Sequence, residues 1–180
     1  MLRGSDIMKR SVIAQDTGER VGRVEDLVID RAGRRVLGIV VAEKTLIGSD
    51  KVVAWPAIRS LGMDNIIIDS TASVLKKSEI PELAEAMDDG YVILGSRLQT
   101  TGGRELGKID SFFFDPETGE VVGFELTGGP NKLRESGSSF LPTPPNLQVG
   151  KDYSFVDPSA VETIEDMGMA LRRRGTPAKV

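Results

Sequence analysis

Glu19-Arg20-Val21-Gly22-Arg23-Val24-Glu25-Asp26-Leu27-Val28-Ile29-Asp30 returns later in the chain as Arg104-Glu105-Leu106-Gly107-Lys108-Ile109-Asp110-Ser111-Phe112-Phe113-Phe114-Asp115. Glycine falls on glycine, base on base at Arg23 and Lys108, and apolar residue on apolar residue, at a constant spacing of 85 residues that also carries Gly38 onto Gly123. Past an insertion the spacing grows to 88 residues, and Leu61-Gly62-Met63-Asp64-Asn65-Ile66-Ile67-Ile68-Asp69 meets Val149-Gly150-Lys151-Asp152-Tyr153-Ser154-Phe155-Val156-Asp157. Solenoid repeats run roughly 20 to 50 residues and need three or more copies to bury their faces. Two self-contained modules in tandem fit this period better.

Within each copy the pattern is that of short strands joined by tight turns. Val12 to Ala14 precedes the turn Asp16-Thr17-Gly18, and Val21 to Ile29 alternates before becoming continuously apolar. Asp30-Arg31-Ala32-Gly33 turns the chain into the β-branched run Val36 to Val41. Lys51 to Trp55 reads as a fourth strand stopped by Pro56, which cannot donate to a ladder. Ile58 to Leu61 reads as a helical turn or bend, and Ile66 to Ile68 as the fifth strand. The second copy repeats the order at Arg97 to Thr100, Leu106 to Phe114, Val121 to Leu126, Ser139 to Leu141 and Tyr153 to Val156. The fold class expected is mainly β, with two small barrels or rolled sheets.

Between the copies, Leu75, Ile80, Leu83 and Met87 suit a short helical linker interrupted near Pro81. After the second copy, Asp157-Pro158 reads as an N-cap followed by proline at the first helical position, with Val161, Ile164, Gly168 and Leu171 on one helical face. The organisation expected is therefore 1–72 as the first barrel, 73–90 as a partly helical linker, 91–157 as the second barrel and 158–180 as a C-terminal helix and tail.

Composition narrows the chemistry. The 180 residues carry a net charge of -4, which argues against a nucleic-acid partner, since phosphate binding leaves a basic stripe. With neither Cys nor His, the chain cannot build a Ser-His or Cys-His pair, a thiolate nucleophile or a conventional structural zinc site. No run of about 18 apolar residues is present to span a bilayer. The opening residues Met1 to Asp6 reach no apolar stretch before further charges arrive, so a cytoplasmic location is expected.

The sequence from Thr17 through Gly22 to Asp30, its turn into Val36-Leu37-Gly38-Ile39-Val40-Val41, and its second appearance from Gly103 through Gly107 to Phe124 resemble the PRC-barrel family. Trp55-Pro56-Ala57-Ile58 before Leu61-Gly62 resembles the family's return strand and bend. The family includes the cytoplasmic domain of the photosynthetic reaction-centre H subunit and the C-terminal domain of the ribosome maturation factor RimM. The resemblance implies a docking module with no general catalytic site, and no cofactor and no metal are expected.

Several motifs invite sharper readings. Gly102 to Lys108 satisfies the Gly, four residues, Gly-Lys part of a phosphate loop, but Ile109 stands where a Ser or Thr is needed and the segment runs into a strand. Asp26, Asp30, Asp110 and Asp115 could furnish a carboxylate pair or a cation site, the alternative function being a carboxylate-based metal or small-anion binder or enzyme. Asp30 and Asp115 precede turn residues, where Asp commonly bonds its own backbone. The triplet Phe112-Phe113-Phe114 must find cover on both faces of its strand. The plainer reading is core; the functional one makes Phe113 an anchor for a protein partner or a second copy of the chain. Trp55, and Lys132, Phe140 and Leu141 in the Gly- and Pro-rich stretch from Thr127 to Asn146, complete the candidate partner-binding set.

Overall fold

The computed structural model describes residues 1–42, 51–88, 93–128, 137–150 and 152–174. The first repeat follows a two-residue strand, β1 (Leu2–Arg3), and contains β2 (Ser11–Ala14), β3 (Arg20–Ile29), β4 (Val36–Ala42), β5 (Lys51–Ala54), β6 (Ile58–Leu61), β7 (Asn65–Ile68), β8 (Leu75–Lys76) and helix α1 (Pro81–Asp88). The second contains β9 (Arg97–Thr100), β10 (Glu105–Phe114), β11 (Val121–Thr127), β12 (Ser138–Pro142), β13 (Tyr153–Val156), β14 (Glu165–Asp166) and helix α2 (Met167–Arg174). The protein is mainly β, as the alternation and turn signals imply.

Two seven-stranded sheets share one plan. In the first, the order is β6-β7-β2-β3-β4-β5-β8; in the second, β13-β9-β10-β11-β12-β14, with β1 pairing β10. The long strands β3 and β10 form hairpins with β4 and β11, and matching parallel pairs, β2 with β7 and β9 with β13, return the chain to the start of each sheet. Gly38 and Gly123 lie at the same point of the second hairpin strand. A Cβ on Gly38 would sit 2.4 Å from the Val53 carbonyl oxygen, and one on Gly123 2.3 Å from the Phe140 ring, so neither position admits a side chain without displacing a neighbour.

Each sheet buries its outer apolar face under its own helix. In the first unit Leu83 of α1 is fully buried against Val28, Leu37, Val40 and Val52, with Ile80, Ala86 and Met87 packed beside it. In the second, Met167 and Ala170 of α2 cover Phe113 and Phe140, joined by Met1, Val122 and Leu171. The helix read from sequence as a linker is therefore the lid of the first sheet, in the same role as the C-terminal helix on the second.

Compact packing departs from the linear repeat in two places, because Met1–Arg3 and Arg31–Arg35 belong to the unit formed by the second repeat. There β1 pairs antiparallel with β10, placing Leu2 opposite Phe114 and Arg3 opposite Phe113. The Arg3 guanidinium bonds the buried Glu125 carboxylate and lies 3.8 Å from Asp110. The Val121 N–H donates to the Arg34 carbonyl at 2.7 Å, Arg35 bridges to Glu120, and the Arg34 side chain donates to the Pro145 carbonyl at 2.6 Å.

Two local readings need correction. Ile58 to Leu61 is a strand rather than a helical turn, and the single 3₁₀ turn beside it is Trp55–Ala57. Ile58 and Leu61 are three residues apart, as in a helix, yet a bulge between Ile58 and Ser60 places them opposite Ile68 and Ile66, two apart on one face of β7. The C-terminal segment is not one helix from Pro158. Asp157 does cap its start, accepting from the Ser159 N–H, but only for a 3₁₀ turn over Pro158–Thr163. Glu165 and Asp166 then pair with Phe140 and Ser139, and the α-helix begins at Met167.

Candidate functional site

The candidate anchors are mostly interior. Phe113 is 2% exposed, Phe140 1% and Leu141 0%, and the Phe113 and Phe140 rings stand 5.8 Å apart, tilted by 54°. The Arg174 guanidinium covers Phe140 at 4.6 Å from the ring centre, a cation–π contact that seals the edge of this cluster. The partner-facing reading of Phe113, Phe140 and Leu141 is thus corrected, since a ring enclosed by β1, β12 and α2 presents nothing to a second molecule. Trp55 is half-buried at the head of its 3₁₀ turn. Lys132 lies outside the described residues.

The four aspartates do not converge. Asp26 and Asp30 belong to the first unit, Asp110 and Asp115 to the second. Asp115 accepts from the backbone N–H groups of Glu117 at 2.8 Å and Thr118 at 3.0 Å. Those two bonds, Thr118 first, hold its carboxyl below the ordinary aspartate value, which is the signature of a turn former. Asp26 is exposed, yet partial desolvation by neighbouring protein raises its carboxyl and outweighs the Leu27 N–H that donates to it at 2.8 Å. Among the described residues no three carboxylates are grouped to hold a metal ion.

Gly102 to Lys108 forms the turn and first residues of a strand, with Gly103 at φ +82° in the turn. A phosphate loop must open a helix, and this one opens β10. Its second glycine serves backbone packing instead. A Cβ on Gly107 would lie 2.7 Å from the Thr127 and Gly128 carbonyl oxygens, and one on Gly22 2.6 Å from the Ala42 carbonyl oxygen. Both glycines let the bulged start of the long strand close onto its hairpin partner.

That bulge helps build an open cleft. Arg20 and Arg23 are three apart and would point to opposite faces of a regular strand. However, β3 slips by a residue between them, so Arg20 pairs with Ile13 and Arg23 with Ser11, which are two apart on β2. Both arginines therefore leave the same face, and both are exposed. They line a cleft of about 950 Å³ together with Glu19, Val21, Gly22, Ala42, Lys51, Thr71 and Val74. No described carboxylate forms an ion pair with either arginine. The second repeat carries the same bulge, with Glu105 opposite Gln99 and Lys108 opposite Arg97, but Glu105 there pairs with Arg97 at 4.0 Å.

Sequence reading passed over Arg20, Arg23 and Lys51. The available signal was a swap of charges within the aligned repeat, Glu19-Arg20 against Arg104-Glu105.

Fold and surface together define a tandem of small β-modules, each with a packed interior and a helical lid. The PRC-barrel domain matches residues 1–75 and again 88–162, and the chain belongs to the PRC-barrel family, with two copies of the domain in tandem. No curated protein matches it. Among the described residues no helix is long and apolar enough to cross a membrane.

Proposed function

We propose that the chain is a cytoplasmic, non-catalytic docking module that holds a protein partner against an outer surface of its barrels. The observation that carries this reading is the filled interior. Phe112, Phe113, Phe114 and Phe124 occupy the second unit, and Val12, Ile39, Val41 and Ile66 the first, all at 2% exposure or less. Small barrels packed this way keep no chamber for a substrate, so recognition falls to the exterior. By family likeness alone, multi-protein assemblies such as photosynthetic electron-transfer or ribosome-assembly machinery are the class of partner implied.

The rival reading, a carboxylate-based metal or small-anion binder or enzyme, draws support at one point, the cations of the cleft. The aspartates lend it none. A tagged chain cross-linked inside its own cells and sized by native mass spectrometry decides between them. Docking predicts a second polypeptide at fixed stoichiometry, whereas recovery of the chain alone overturns it.

A further inference from the structure

The cleft of the first repeat has a geometry that selects its occupant. Arg20 and Arg23 stand opposite residues two apart on β2, so their Cα atoms are spaced by roughly 7 Å along the strand direction. Carboxylates at alternate positions of an extended peptide leave one face with that same spacing. Among the described lining residues Glu19 is the one carboxylate, and Val21, Ala42 and Val74 offer apolar wall. Arg20 and Arg23 are spaced along one strand rather than gathered at a point, which disfavours a compact anion.

We propose that this cleft docks an extended acidic segment of a protein partner, one with Asp or Glu at alternate positions; the inference rests on the docking reading above. The second repeat supplies the internal contrast. At the matching rung Glu105 replaces Arg20 and is paired with Arg97, so the paired arginines of the first repeat are not reproduced there.

The test titrates the full chain with a fluorescein-labelled ten-residue peptide of alternating Glu and Val, read by fluorescence anisotropy. Saturable binding is expected, weakened at least about tenfold by Arg20→Glu with Arg23→Glu, weakened by salt, and unchanged by Lys108→Glu in the second repeat. Should the double reversal lower the melting temperature, Arg20→Gln with Arg23→Gln takes its place. No saturable binding, equal binding of a matched peptide of alternating Lys and Val, equal loss with Lys108→Glu, or displacement by inorganic phosphate at matched charge each overturns the proposal. Cross-linking in cells with the doubly reversed chain separates the two levels: a partner retained sinks the cleft and leaves docking standing, while no partner with the unaltered chain sinks docking itself.

Discussion

Val40 in the first repeat and Glu125 in the second occupy the same rung, opposite Asp26 on β3 and Ser111 on β10. Both are buried, yet one is a hydrocarbon and the other a carboxylate. Val40 lies in the apolar cluster under Leu83, whereas Glu125 is neutralised by Arg3 on β1. Their lids differ in a compensating way. Small Val28 and Val52 lie beneath a large Leu83, and large Phe113 and Phe140 beneath a small Ala170. Interiors are packed as densely as organic crystals, so volume removed from one layer must be returned by the next. At these positions bulk on the sheet side is exchanged for bulk on the lid side.

The largest expected effect tests that exchange from below. Phe113→Ala should cost about 3–5 kcal/mol in urea denaturation, and Leu83→Ala about 2–5 kcal/mol, each reported by the repeat that carries it. Arg3→Ala leaves Glu125 buried without its partner and should cost roughly 1.5–3 kcal/mol. Adding Glu125→Val, which copies Val40, should recover most of that loss; no recovery would break the equivalence of the two rungs. Ala170→Leu, which gives the second lid the bulk of the first, should overpack the Phe113–Phe140 layer by about 1–3 kcal/mol, and a neutral result would show that layer volume does not set the lid. The smallest effect is at Asp115. Its carboxyl is held below the ordinary aspartate value, so its contribution is present above that value and lost as pH falls through its lower folded value. Titration of Asp115 by NMR should show the depressed midpoint, and Thr118→Pro, which removes the first-named donor, should raise it.

The fold was legible because it was written twice. Gly22 with Gly107 and Gly38 with Gly123 mark the same close approaches of backbone in each copy, and Asp115 announced its own turn. What stayed hidden depended on register or on distance. Arg20 and Arg23 share a face only because a bulge resets the alternation, and the same device disguised Ile58 and Leu61 as a helical pair. Phe113 looked available because its cover comes from β1, too short to show any period, and from α2 at the far end of the sequence. The helix read from Pro158 failed for a related reason, since Glu165 and Asp166 are drawn into a ladder that no local propensity foretells.

The strand Leu2–Arg3 has a consequence for synthesis. It joins Arg3 to Glu125, 122 positions onward, so the second unit is finished by residues made well before its other strands. Those residues must wait, unpaired, until β10 has been made. A gene cut between the repeats would give a downstream fragment missing both Met1–Arg3 and Arg31–Arg35, and peptides carrying these segments in trans are what such a fragment would need to close.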